Sequence, residues 1–512
     1  MTIATEAAPA AQAPRLNLPT RVLYGMGGAA SAIKQRGLAT FLLIFYNQVM
    51  GLPPQMVSAA LAFALIFDAI VDPLVGQVSD NFRSRWGRRH PFMYAAALPV
   101  AVAFFMIWNP PAGWEQTQIF VYMIVCLLTI RLFDTFFELP SAALAPELAK
   151  DYNERTSLIS LRSFFSVAGG LGMTLMAYQV FLKENPDGTG GVLARDGYFY
   201  YALFASFLIF VIILASTAGT HKQIPHLRKP PERKVTFKGM VREVAHTLNN
   251  RAFVALTISG MFMSISLGVK GGLELYFFIY FWELKQSQLA MLTVAGVIAS
   301  FIGVSLAPKV AAKMGKRNGA ITMFAGAVVA LLGPIALRLV GWMPANGTDL
   351  LFWILFVDVI ANGAMAMMTG VMLASMIADV VEDSEVKTGR RSEGLLFSAD
   401  NLFKKVVSGL GVFVSGTLLA FIAFPQNAQR GQVDPEILRN MALIYLPTLL
   451  FFYAIAIGCL FLFNIDQKTH EENLRKLEEA ALKAKTTGAE GETGTPAAMG
   501  PAGPETPPTR LA

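Results

Sequence analysis

Only 15% of the 512 residues are charged and 54% are hydrophobic, with a mean hydropathy of +0.49. That excludes a water-soluble globular protein, in which about a quarter of residues carry charge. The net charge of +7 does not call for nucleic acid, because the cations lie between apolar blocks, and two isolated cysteines, Cys126 and Cys459, exclude a disulfide framework or a thiolate metal site. The stretch 1–19 is rich in Ala and Pro without an apolar centre; it reads as a tail, with targeting left to the first spanning segment. Apolar stretches of about 20 residues, the length that crosses a bilayer, then begin near Val22, Met56, Phe92, Ile119, Ser157 and Phe199. Six more begin near Ala252, Ser287, Ala320, Leu350, Gly394 and Met441. Pro- and Gly-rich breakers separate several of them: GLPPQ at 51–55, NPPAG at 109–113 and ENPDGTGG at 184–191. Twelve transmembrane helices in an all-α membrane protein are expected.

Lys and Arg orient the array. The loop RSRWGRRH carries Arg83, Arg85, Arg88 and Arg89, and the loop after the eighth span carries Lys309, Lys313, Lys316 and Arg317. A linker over 220–251 carries eight cations, whereas GLPPQ and NPPAGWEQTQ carry none. The positive-inside rule puts the basic loops and both termini in the cytoplasm; location in the plasma (inner) membrane is expected. The linker divides the chain into six-helix bundles at 20–219 and 252–465, and 466–512 reads as a largely disordered cytoplasmic tail. WGRRHP at 86–91 and MGKRNG at 314–319 occupy equivalent places in the two halves. Repeated bundles of this kind build transporters with a solute site near the membrane midplane. A small-molecule solute, the lipid bilayer and a monomeric carrier are the expected partners.

Charges inside the spans cost about 2.5–3.5 kcal/mol each on insertion scales, so they need partners or a task. In FDAIVDPLVG, Asp68 and Asp72 share one helix face at i,i+4 spacing. Either a proton or a small cation relieves their repulsion, which describes a coupling-ion site, or both are held in interhelical salt bridges. In RLFDTFFELP, Arg131 and Asp134 suit an internal i,i+3 pair, Thr135 offers a hydroxyl to a hard cation, and Glu138 offers acceptors to a polyol. Arg162 reaches inward from the fifth span. Lys405, in the eleventh, is placed to neutralise an empty carboxylate site and to be released by a bound cation. Lys270 and Glu274 in the seventh span suit a mutual i,i+4 pair. The five histidines lie outside the spans or at their edges, so any transported proton is carried by carboxylates.

DAIVDPLVGQVSDNFRSRWGRRHP at 68–91 and MIADVVEDSEVKTGRRSEGLLFSADNLFKK at 376–405, with YGMGG at 24–28 and LRSFFSVAGG at 161–170, resemble the glycoside–pentoside–hexuronide:cation symporters. These are the melibiose-carrier-like branch of the major facilitator superfamily. The resemblance spans about 20–465. It implies cation ligation by Asp68, Asp72 and Thr135, and solute binding by Glu138, Arg162 and Lys405. It also implies a cytoplasmic gate formed by Asp379, Glu382, Arg391 and Glu393. The expected activity is symport of a sugar or glycoside with a proton or sodium; no cofactor is implied, and no metal beyond sodium at Asp68 and Asp72. Ala32 stands where sugar-binding members of the melibiose type carry an acid, Ala142 replaces an aromatic, and Val71, where sodium-using members can carry an amide, favours protons. Two other readings stand beside this one. One is carriage of a lysophospholipid or other amphiphile, as in animal relatives. The other is an intramembrane prenyltransferase-like enzyme, suggested by the D-x-x-x-D spacing. The absence of a G-x-x-x-x-G-K-[ST] loop argues against an ATP-driven pump.

Overall fold

The computed structural model describes residues 16–149, 151–185, 190–226, 250–388 and 393–465, together with 469, 472, 473, 475–477 and 479. Its long helices are α1 (Leu18–Ile44), α2 (Pro54–Asn81), α3 (His90–Ile107), α4 (Gln116–Leu148), α5 (Tyr152–Met176) and α6 (Arg195–His221) in the first half. The second half has α7 (Arg251–Tyr276), α8 (Gln286–Met314), α9 (Lys316–Leu339), α10 (Asp349–Thr388), α11 (Glu393–Phe421) and α12 (Pro435–Leu460). They follow the twelve apolar stretches. Eleven are long and apolar enough to cross a membrane. The apolar run of α1 is interrupted by Lys34, Gln35 and Arg36, and that helix packs in the interior against α5 and α6. Most of the proposed 220–251 linker and of the tail beyond 465 lies outside the described residues.

The internal repeat extends beyond the two basic loops. Both α1 and α7 end in a single π turn, Phe45–Val49 and Phe277–Phe281, 232 residues apart, and the helices that follow start at Pro54 and Gln286 with the same offset. Each basic loop fastens the fourth helix of its own half. Arg89 lies 2.9 Å from Asp80 and 3.0 Å from Glu147 of α4, which also pairs with Arg88. Lys316 lies 2.6 Å from Asp379 of α10.

Small residues let helices approach closely where the site will be built, as membrane packing favours. A side chain on Gly28 of α1 would collide with the Arg162 backbone carbonyl of α5. Gly409 and Gly416 of α11 lie against Ala62 and Ser58 of α2, joining the two halves. Among the described residues, cross-half bonds gather around Lys405 and at the end bearing the breaker loops. At that end Tyr276 donates to Asn47 at 2.7 Å, Gln48 donates to the Pro425 carbonyl at 3.1 Å, and Arg430 lies 2.6 Å from Glu184. These contacts shut that end.

Candidate functional site

Three helices bring the predicted cation-site residues together. Asp72 accepts a hydrogen bond from the Thr135 hydroxyl at 2.9 Å, and Thr135 also donates to the Arg131 carbonyl at 3.1 Å. From α11, in the other half, the Lys405 ammonium lies 2.6 Å from Asp72 and 3.3 Å from Asp68. Asp68, only 4% exposed, also accepts from Arg131 at 3.0 Å. The acids therefore do not stand bare: each carboxylate has a cation. Asp68 and Asp72 share the face that i,i+4 spacing gives them, both meeting Lys405, but one helix's spacing cannot reveal the cations that α4 and α11 bring to it.

The expected Arg131–Asp134 pair is not formed. Arg131 points to α2, and Asp134 pairs instead with Lys34 of α1, which is 2% exposed. An i,i+3 partner on the same helix loses to lateral partners because both side chains reach neighbouring helices. Lys270 and Glu274 likewise fail to pair; Lys270 donates to Asn362 of α10 at 3.1 Å.

A second constellation joins α1, α4 and α5. Arg162 lies 3.2 Å from Glu138, donates to the Ser141 hydroxyl at 2.6 Å, and sits over the Tyr24 ring at 5.7 Å. Ser31 donates to the other Glu138 oxygen. The close approach at Gly28, whose carbonyl accepts from Ser166 at 3.1 Å, fixes the height of Arg162 against α1. Lys34, Ser31 and Ser141 escaped the sequence reading. The signal for Lys34 was available: a lysine in mid-span demands an acid.

Both constellations border one cavity of about 490 Å³ between the halves, which Asp68, Asp72, Thr135, Glu138 and Lys405 line directly. Glycines 268, 271 and 272 of α7 form part of the opposite wall. Arg162 stands behind Glu138. Of the predicted gate, Asp379 is bound to Lys316 within its own half and Glu382 follows on α10, both away from this cavity. Arg391 lies outside the described residues, as does the side chain of Glu393.

Comparison with known proteins fits this architecture. The family model described as MFS/sugar transport protein matches residues 23–467. The chain belongs to that family. It therefore belongs with the glycoside–pentoside–hexuronide:cation symporters, a family of transporters, and the enzyme reading falls. A putative glycoside/cation symporter of Escherichia coli is 25% identical, with 90% of this chain and 95% of that protein covered. The isoprimeverose transporter of Lactiplantibacillus pentosus is 24% identical, with 88% and 92% covered. The crystal structure of a mutant of the nucleoside transporter NupG shares the major facilitator fold at a TM-score of 0.60 and 14% identity, with 87% of this chain and 99% of that one covered.

Proposed function

We propose that this family member is a symporter that couples a proton or sodium ion to movement of a sugar or glycoside by alternating access between its two halves. The reading rests most heavily on one observation: Lys405, from the second half, sits 2.6 Å from Asp72 in the first. An ammonium in that position stands in for a coupling cation. When a cation or proton neutralises Asp72, the attraction across the halves is lost and Lys405 is freed, so ion binding is converted into a change between the bundles. A relocated lysine can then donate to a solute hydroxyl in the same cavity. Asp72, Asp68 and the Thr135 hydroxyl supply hard oxygen donors suited to sodium, or a proton acceptor. Glu138 and Arg162 supply an acceptor and donors at one wall, the pairing that a hydroxyl-rich ring needs.

The shut end carries the breaker loops without Lys or Arg, and the basic loops lie at the other. With the basic end in the cytoplasm, this is an inward-facing carrier of the plasma membrane with both termini inside. Asp379 and Lys316 belong to the cytoplasmic network that would close that side. Purified protein in liposomes tests the reading. Accumulation of isoprimeverose, or of a simple galactoside, xyloside or glucoside, driven by a proton or sodium gradient, is expected. Asp72→Asn should abolish gradient-driven accumulation while leaving downhill exchange. Accumulation surviving in Asp72→Asn removes Asp72 from coupling, and movement of labelled lysophospholipid without sugar flux would replace the sugar reading.

A further inference from the structure

A second cavity, of about 290 Å³, opens on the other side of the α1–α7 contact. Helices α7, α8, α10, α1 and α5 line it, with apolar walls from α9 and α12. The first cavity is lined by α1, α2, α4, α7 and α11, so the two draw on the same helices with the halves exchanged. Asp358 lies nine residues from the start of α10, whereas Asp134 lies eighteen from the start of α4, and both helices start at the shut end. At 1.5 Å per residue Asp358 stands about 13 Å nearer that end than Asp134, while on α1 the two cavities share one height at Arg36–Thr40 and Gln35–Leu43.

Its chemistry is unusual for a membrane interior. Arg36, Lys270, Glu274 and Asp358 all border it. Among the described residues, none of the four makes an ion pair within 4.0 Å, and the polar bond described for them is that from Lys270 to Asn362. Asn362 is itself anchored by donating to the Ala327 carbonyl at 2.7 Å. In the first cavity every carboxylate has its cation; here two cations and two carboxylates stand apart. Placing them so is costly unless something else bonds to them. Because the four charges cancel, the partner need not be charged. It must both donate and accept hydrogen bonds, which is what each hydroxyl of a polyol does. Phe278 and Trp282 add aromatic surface of the kind that takes the apolar face of a sugar ring.

We propose that this cavity is a second sugar-binding site. The inference rests on the sugar reading above. Equilibrium binding of radiolabelled isoprimeverose to the full-length protein in lipid nanodiscs tests it. Two molecules per carrier are expected, falling to one in the double variant Glu274→Gln/Asp358→Asn and to one in Glu138→Gln. A wild-type ratio of one, lost in Glu138→Gln and retained in the double variant, overturns the second site and leaves the sugar reading intact. No binding of isoprimeverose, or of the galactoside, xyloside and glucoside probes, overturns the sugar reading and this inference with it. The wild-type ratio decides the matter even if a variant fails to fold.

Discussion

Replacing Lys405 by Met removes the one cation that, among the described residues, reaches from the second half into the acidic site, while keeping an unbranched apolar stem. Asp72 then retains the Thr135 hydroxyl at 2.9 Å, and Asp68 retains Arg131 at 3.0 Å. On the proposed coupling reading, an incoming cation displaces the Lys405 ammonium from Asp72. A hydrogen bond to a charged group is worth about 1.5–3 kcal/mol. The Lys405 and Asp72 side chains are 33% and 28% exposed to the cavity, so the lower figure applies after allowance for solvent. About 1.5 kcal/mol corresponds to roughly tenfold in affinity. Lys405→Met is therefore expected to bind the coupling ion about tenfold more tightly and to lose accumulation, because the empty carrier no longer has a cation at Asp72. The assay is ion titration of the purified protein, followed by intrinsic fluorescence or calorimetry in parallel with liposome uptake. Unchanged or weaker ion affinity in Lys405→Met would refute the idea that the lysine competes with the ion.

Glu138→Gln keeps the shape of the side chain but removes the charge facing Arg162 and Ser31. Sugar affinity should fall about tenfold or more, while ion affinity, set by groups that do not include Glu138, changes less than about threefold; equal losses in the two titrations would contradict the division of roles. Gly28→Val drives a branched side chain into the Arg162 carbonyl. Overpacking costs typically about 1–3 kcal/mol, so a lower melting temperature and weakened sugar binding are expected, and a variant with native Tm and sugar affinity would mean that α1 and α5 separate easily. Asp68→Asn strips Arg131, whose side chain is 15% exposed, of its carboxylate. Breaking a buried pair costs about 3–5 kcal/mol, so this variant should express poorly or melt early while Asp72→Asn folds normally; size-exclusion profiles and melting curves of the two compare them directly.

The twelve helices were legible because hydrocarbon thickness imposes a length on each apolar run, and breaker residues such as Pro53, Pro54 and Gly113 mark the gaps. The meeting of Asp68, Asp72, Thr135 and Lys405 was legible too, since buried charges on different spans have to find one another. The pairings themselves were not. Arg131 sits i,i+3 from Asp134, and Lys270 sits i,i+4 from Glu274, yet neither pair forms. Local spacing records which side chains share a face, whereas the choice of partner depends on how closely the next helix approaches. That approach is governed by small residues such as Gly28 and Gly409, whose consequence appears only once the helices are docked. Lys34 is the clearest loss. It lowers the apolar character of α1 and reads as a blemish until Asp134 is seen facing it.

On the proposed symport reading, the two acids of α2 have different tasks. Asp68 is bonded to Arg131, and α2 and α4 belong to the same half, so that bond travels with the bundle and need not break when the halves rock. Asp72 is bonded to Thr135 of its own half and to Lys405 of the other. Alternating access requires relative motion of the halves, so the contact that senses an ion has to be one that spans them, and the pair from Lys405 to Asp72 is the shorter of the two ammonium contacts that do. A proton or sodium arriving at Asp68 alone would still leave Asp72 tied to α11. Arrival at Asp72 removes the stronger tie and leaves Arg131 to keep Asp68 neutral in either state. On that reading coupling belongs to Asp72, whose tie to Lys405 is the shorter and which has no other cation, while Arg131 balances Asp68 whichever way Lys405 moves.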